Sequence, residues 1–149
     1  MTGLIVIVVA TLVTIGFGWY RHSTDGRISD APSAAAMPRI DPTTLRQPLG
    51  EAVTLVEFTS EFCGPCRTTA AILDDISAAD PRICFVQLDV AERLELAEEF
   101  GIRRTPTVLV ADAAGVVRHR LVGTPRRDEL ADLTSSYLTP ASTPTKGAS

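Results

Sequence analysis

Two cysteines separated by two residues are the feature of this sequence best suited to chemistry. They form the run Cys63-Gly64-Pro65-Cys66, between a predicted strand and a predicted helix. The first turn of a helix carries partial positive charge and free N–H groups, which favour a thiolate at Cys63. Only a thiolate attacks a disulfide, and Cys66 lies one helical turn away, where it can resolve a mixed disulfide. The spacing therefore predicts dithiol–disulfide exchange.

Two other interpretations of the pair remain open. A zinc site normally takes four ligands, and the remaining candidates, Cys84, His22 and His119, are scattered over separate segments. A purely structural disulfide across so short a loop would remove little chain entropy. The strand before the pair and the helix after it favour redox exchange over both. Cys84 itself is interpreted as a small buried apolar residue, and no metal site is predicted.

The predicted elements alternate between strand and helix. Short apolar, β-branched runs predict strands, and apolar residues at helical spacing predict helices. The last helix is expected to start with Thr124 as its N-cap and Pro125 at its first position. The order predicts an α/β fold, with a central mixed sheet of about four strands flanked by helices and the first two strands parallel. The predicted strands are 53–59, 83–90, 107–111 and 116–122, and the helices are 66–79, 91–100 and 124–138.

Composition sets limits on the class of protein. The chain has 149 residues, a net charge of −4 and 45% apolar residues. This length suits one domain with appendages, and the apolar content excludes a chain that is disordered throughout. The acidic balance disfavours a nucleic-acid-binding protein, which would show a basic stripe.

An uncharged apolar run lies near the amino terminus. It extends from Leu4 to Tyr20, and as a helix of about 19 residues it would measure about 28 Å, close to the thickness of a membrane core. The sequence therefore predicts a transmembrane helix at 3–20; a buried core helix and a cleaved signal peptide are the alternatives. Arg21 and Arg27 follow the run, so the positive-inside rule places the rest of the chain in the cytoplasm, with the opposite orientation as the alternative.

Three further segments are expected after this helix. Four prolines and few apolar residues mark 21–48 as a linker, although 43–47 is suited to one helical turn. A folded domain is predicted at 49–138. The Thr-, Ser- and Pro-rich residues 139–149 are expected to form a disordered tail.

The stretch from Glu57 to Arg67, EFTSEFCGPCR, resembles the active-site segment of thioredoxins. The stretch from Gly101 to Thr107, GIRRTPT, resembles their cis-proline loop, and Gly115 and Gly123 match their turn glycines. The resemblance covers about 53–138, with the first strand and helix of the family missing or reduced. It implies a thioredoxin-like fold and disulfide exchange with no dissociable cofactor.

The resemblance also implies roles for individual residues. Cys63 would be the attacking thiolate and Cys66 the resolving thiol, together forming the redox-active disulfide. Pro106 would be a cis-proline facing this pair, and the backbone of Thr105 would bind an extended substrate. The expected substrate-binding residues are Phe62, Gly64, Pro65, Thr105 and Pro106.

Glu57 occupies the position at which thioredoxins carry a buried aspartate. A buried carboxyl has a raised pKa, so Glu57 would take up the proton that Cys66 loses. Gln87 replaces a lysine common in the family, and its neutrality should leave the carboxyl pKa higher still. The alternative is a strand glutamate that reaches the surface. Arg103 and Arg104 would either influence substrate choice or be ordinary surface charges.

Together these features predict a membrane-tethered thiol–disulfide oxidoreductase that reduces protein disulfides as a monomer. Its partners would be disulfide-containing proteins and a reductase or membrane electron donor that regenerates the dithiol. One alternative is an extracytoplasmic enzyme of envelope disulfide exchange or cytochrome maturation. The other is a thioredoxin-fold binding or redox-sensing module without turnover.

Overall fold

Five helices and five strands make up the part of the chain that the computed structural model describes, residues 2–24, 28–30 and 39–139. The helices are α1 (Thr2–Thr24), α2 (Pro42–Leu45), α3 (Gly64–Ala79), α4 (Leu94–Glu99) and α5 (Arg127–Leu138). The strands are β1 (Ile28–Asp30), β2 (Val53–Thr59), β3 (Ile83–Asp89), β4 (Thr107–Asp112) and β5 (Val117–Val122).

The sheet has the predicted mixed topology. Four strands lie in the order β5-β4-β2-β3, with β2 and β3 parallel and the other pairs antiparallel. This confirms the α/β fold with a four-stranded mixed sheet and the parallel first pair. A short fifth strand, β1, pairs antiparallel with β5 and comes from residues that the sequence assigned to the linker. Three residues are too few to show a two-residue periodicity, so sequence analysis did not detect this strand.

The two faces of the sheet are covered by different helices. Val53 and Leu55 of β2 pack in a cluster with Leu73 of α3 and Leu130 of α5. Val56 and Phe58 pack on the opposite face, with Ala97 of α4 and Leu45 of α2 among their neighbours. Side chains alternate along a strand, so Glu57 points to the face covered by α3 and α5. That face lies beneath the helix that begins at the cysteine pair.

The start of α5 differs from the prediction. The helix begins at Arg127, and its N-cap residue, Arg126, lies two residues after the predicted N-cap, Thr124. The Thr124 hydroxyl accepts a 3.3 Å hydrogen bond from Thr69 Oγ1 and lies 3.5 Å from the Pro65 carbonyl oxygen. It therefore contacts α3 and caps no N–H group of α5.

Within the described residues, no helix combines the length and the apolarity needed to cross a membrane. The transmembrane helix predicted at 3–20 is therefore unsupported here and stays a prediction from the sequence. The tail beyond Thr139 lies outside the described residues.

Candidate active site

Cys63 and Cys66 form a disulfide at the amino-terminal end of α3, with their Cα atoms 5.3 Å apart. Cys63 is the N-cap residue, and its Sγ accepts a 3.2 Å hydrogen bond from the Cys66 backbone N–H. Cys63 is half-buried, whereas Cys66 is only 2% exposed. A substrate can therefore reach the Cys63 sulfur, whereas the Cys66 sulfur is buried behind it and can react only with Cys63.

The surface around Cys63 is open. The Phe62 side chain is 93% exposed, and Gly64 and Pro65 are exposed as well. A Cβ atom added at Gly64 would meet nothing within 4 Å, so the space beside this residue is free. An open cavity of about 560 Å³ lies beside Phe62, lined by Ser60, Glu61, Phe62, Asp89, Ala91 and Glu92.

A second loop lies next to the cysteine turn. The Thr105–Pro106 peptide bond is cis, as the resemblance implied. Ser60 Oγ and Thr105 Oγ1 are 3.1 Å apart and hydrogen-bonded, which joins this loop to the residues just before Cys63. The Pro106 carbonyl oxygen accepts a 2.8 Å hydrogen bond from the Gly123 N–H. The structure thus places Thr105, and with it the start of the cis peptide bond, beside the turn that precedes Cys63. Sequence analysis missed Ser60, because a lone serine between a strand and a helix carries no signal of its partner.

The first turn of α3 is held from below by Thr69, which is fully buried. Its hydroxyl lies 3.1 Å from the Pro65 carbonyl oxygen and 3.3 Å from Thr124 Oγ1. These contacts connect the turn carrying Cys66 to the loop that leads into α5. Sequence analysis did not identify Thr69, because a threonine in a helix has no pattern that reveals a distant partner.

Glu57 is completely buried, so it is not a strand glutamate that reaches the surface. Its Oε2 accepts a 3.0 Å hydrogen bond from Gln87 Nε2, while Oε1 has no hydrogen-bond partner among the described residues. Burial raises the pKa of Glu57 to about 7, and the Gln87 hydrogen bond lowers it to a smaller extent. A carboxyl with this pKa can both take up and release a proton near neutral pH.

Cys84 lies on β3, outside this site. It is half-buried at the sheet edge, not fully buried as predicted, with its thiol 3.5 Å from the Pro48 carbonyl oxygen. Burial raises the pKa of the Cys84 thiol. Arg103 and Arg104 are exposed in the loop before Pro106. In the described part of the chain, no three His, Cys, Asp or Glu side chains are grouped to hold a metal ion.

The chain is similar to known thioredoxins over this region. The family model described as Thioredoxin matches residues 43–136. A thioredoxin H-type from Ricinus communis is 30% identical over 93 residues, covering 62% of this chain and 77% of that protein. The thioredoxin of Chlamydia muridarum is 30% identical over 89 residues, covering 60% of this chain and 86% of that protein. Among solved structures, a mutant thioredoxin from Halobacterium salinarum aligns with a TM-score of 0.56 and 27% identity, covering 61% of this chain and 79% of that chain.

Proposed function

The chain belongs to the thioredoxin family of thiol–disulfide oxidoreductases, and on that premise we propose that it reduces disulfide bonds in protein substrates. The observation that carries this proposal is the unequal exposure of the two sulfur atoms. Cys63 is reachable at the helix start beside the exposed Phe62 ring, and Cys66 is almost fully buried behind it. This arrangement suits one attacking and one resolving thiol.

The exchange takes place in two steps. The Cys63 thiolate attacks one sulfur of the substrate disulfide, forming a mixed disulfide and releasing the other substrate sulfur as a thiolate, which is then protonated. The Cys66 thiol loses its proton and attacks Cys63 Sγ, which releases the second substrate thiolate. Two electrons pass from the dithiol to the substrate, and the Cys63–Cys66 disulfide remains. A reductase partner must then return two electrons to this disulfide.

Glu57 is the proposed acceptor of the Cys66 proton. Its side chain lies on the sheet face that α3 covers, and Cys66 is in the first turn of that helix. The carboxyl is buried, and its Oε1 makes no hydrogen bond among the described residues. With a pKa of about 7, it is ionised in part at neutral pH and can receive the proton. Thr105 and Pro106 would bind the substrate backbone beside the disulfide.

Trapping of the mixed disulfide tests this function. Reduced full-length protein in mild detergent is mixed with insulin, a protein with accessible disulfides. We expect Cys66→Ser to accumulate a covalent complex with insulin chains, Cys63→Ser to form none, and Cys84→Ala to behave as the unmodified protein. Failure of the unmodified protein to reduce insulin would favour a binding or sensing module instead.

We also propose that α1 tethers the domain to a membrane, with the domain on the cytoplasmic side. The support is the absence of charge from Leu4 to Tyr20 and the presence of Arg21 and Arg27 after it. The large apolar side chains described in α1, from Ile5 to Phe17, are between 49% and 65% exposed. Exposed apolar surface of this extent is costly in water and is relieved in lipid.

Fractionation and labelling test the tether and its orientation. Residues 1–149 are expected in an alkali-resistant membrane fraction, and a chain starting at residue 39 is expected to be released from it. In a Cys84→Ala background, a membrane-impermeant maleimide should label reduced Cys63 only after cell lysis. Labelling in intact cells would contradict the cytoplasmic orientation and favour an extracytoplasmic enzyme. A full chain recovered in the supernatant would contradict the tether.

A further inference from the structure

The loop that carries the cis peptide bond is contacted at one end by β5 and at the other by the residue that follows β5. At its far end, the Gly123 N–H after β5 donates the 2.8 Å hydrogen bond to the Pro106 carbonyl oxygen. At its near end, the guanidinium of Arg120 on β5 reaches over the end of α4. Its Nη2 donates to the Phe100 carbonyl oxygen, and its Nη1 donates to the Gly101 carbonyl oxygen at 3.3 Å.

A guanidinium suits this position electrostatically. Phe100 is the C-cap residue of α4, and Gly101 follows with a positive φ of 60°, so the chain leaves the helix here. Carbonyl oxygens at a helix end lack intrahelical partners and carry partial negative charge, which a cation stabilises. Arg120 therefore adds a side-chain contact at the point where the loop towards Pro106 begins and where the Gly101 N–H also bonds back to the Glu98 carbonyl oxygen.

Burying the Arg120 guanidinium at this position lowers the stability of the fold. Arg120 is half-buried, its Nε is buried without a hydrogen-bond partner in the described residues, and burial lowers its pKa. An unsatisfied buried N–H group destabilises the fold, so an aliphatic residue would fill this space at a lower cost. The compensating interactions in the structure are the two bonds to the carbonyl oxygens of residues 100 and 101.

Only a short segment separates this anchor from the substrate-facing residues. Thr107 Oγ1 donates a 2.8 Å hydrogen bond to the Arg104 carbonyl oxygen, and the Thr105 hydroxyl pairs with Ser60. The middle of the loop is thus held by Ser60 and by the Thr107–Arg104 contact, and its far end is held by Gly123. At its near end, the Gly101 and Ile102 N–H groups bond back to the Glu98 and Ala97 carbonyl oxygens, and Arg120 adds the side-chain contacts described above from β5.

We propose that Arg120 is a positioning residue for substrate binding, which holds the 101–106 loop so that the Thr105 backbone faces the disulfide. This inference rests on the proposed reduction of protein disulfides. Arg120 touches neither sulfur, so it acts through the loop and not on the thiol chemistry. A polypeptide substrate that pairs with the loop should depend on Arg120, whereas a small disulfide that needs only Cys63 should not.

The test compares two disulfides in single-turnover reduction by pre-reduced, full-length protein in mild detergent. For Arg120→Met, we expect the half-saturating insulin concentration to rise about ten-fold, as for the loss of a charge-assisted hydrogen bond. The limiting rate of insulin reduction should stay within about two-fold of the value for the unmodified protein. The same should hold for the rate of reduction of 5,5′-dithiobis(2-nitrobenzoate), a small aromatic disulfide. Arg120→Lys should restore part of the insulin affinity, because an ammonium can still donate to a carbonyl oxygen.

Arg118→Met is the matched control, since Arg118 lies on the same strand and instead pairs with Asp112 at 2.7 Å. It should leave both reactions unchanged. An unchanged insulin dependence in Arg120→Met, or an equal loss with both disulfides, would overturn the proposal. If Arg120→Met does not fold, Arg120→Gln, whose side chain is uncharged and shorter, takes its place, and an unchanged insulin dependence in that variant would overturn the proposal equally. Failure of the unmodified protein with both disulfides would instead contradict the proposed function.

Discussion

Glu57 Oε2 accepts its 3.0 Å hydrogen bond from Gln87 Nε2, and the two residues lie opposite each other on the parallel strands β2 and β3. Glu57 is fully buried, whereas Gln87 is exposed. In the described part of the sheet, β3 is an edge strand. The buried carboxyl is therefore held by a side chain in contact with solvent, and its protonation should respond to changes at that edge.

The raised pKa of Glu57 predicts a pH-dependent stability. The carboxyl titrates at 4.5 when unperturbed and at about 7 in the folded protein, so the folded state binds the proton more tightly. Its contribution to the free energy of unfolding is fully present below pH 4.5 and is lost as pH rises through about 7. The difference between these two pKa values corresponds to about 3 kcal/mol of unfolding free energy, at about 1.4 kcal/mol per pH unit.

Denaturant unfolding of Glu57→Gln between pH 4 and about 8 measures this effect, because the amide cannot ionise. The variant should gain stability relative to the unmodified protein as pH rises. Glu61→Gln, at an exposed position, is the control and should track the unmodified protein. Parallel pH curves for Glu57→Gln and the unmodified protein would show that this carboxyl does not titrate as stated.

Substitutions at Gln87 should move the Glu57 pKa in opposite directions. Gln87→Leu removes the hydrogen bond that favours the carboxylate, so the Glu57 pKa should rise by about one pH unit. Gln87→Lys places a positive charge beside the carboxylate and should lower it. Carboxyl-carbon NMR titration of the glutamate side chains measures both shifts. Movement in the same direction in the two variants would argue against this electrostatic account.

The hydrogen bond between Ser60 and Thr105 should stabilise the contact between the cysteine turn and the loop before Pro106. A double-mutant cycle with Ser60→Ala and Thr105→Val is expected to give a coupling of about 1 kcal/mol in denaturant unfolding. Ser135→Ala, whose hydroxyl bonds within α5, should show no coupling to Thr105→Val. Additive effects of the Ser60 and Thr105 variants would mean that the bond contributes nothing to stability.

Cys84 should react more slowly than Cys63 in the reduced protein. Burial raises the pKa of the Cys84 thiol, so little thiolate is present at neutral pH. With iodoacetamide at pH 7, Cys63 should be alkylated roughly ten-fold faster or more, measured by peptide mass spectrometry. The Cys84 rate should be the same in Cys63→Ser. Equal rates for the two cysteines would place Cys84 among the reactive thiols.

Local sequence was sufficient for the order of elements and for the chemistry of the site. Strand and helix periodicities within the domain depend on neighbouring residues, and β2 was predicted with its observed bounds, Val53–Thr59. The helix after the cysteine pair was predicted at 66–79 and is observed at Gly64–Ala79; its N-cap contact, between Cys63 and Cys66, is local as well. The prediction for Thr124 failed because its contact is made to a residue distant in sequence. Thr124 was expected to cap α5, but it contacts Thr69, a residue 55 positions away.

The sequence by itself determined that a cysteine pair sits at the start of a helix in an α/β domain, because spacing and periodicity encode both. Only the tertiary structure decided that Glu57 is buried on the α3 face and bonded to Gln87, and that β1 joins the sheet edge. It also decided that Arg120 holds the loop before Pro106. These relationships join residues 19 or more positions apart, and no local pattern specifies which distant groups the packed sheet brings within hydrogen-bond distance.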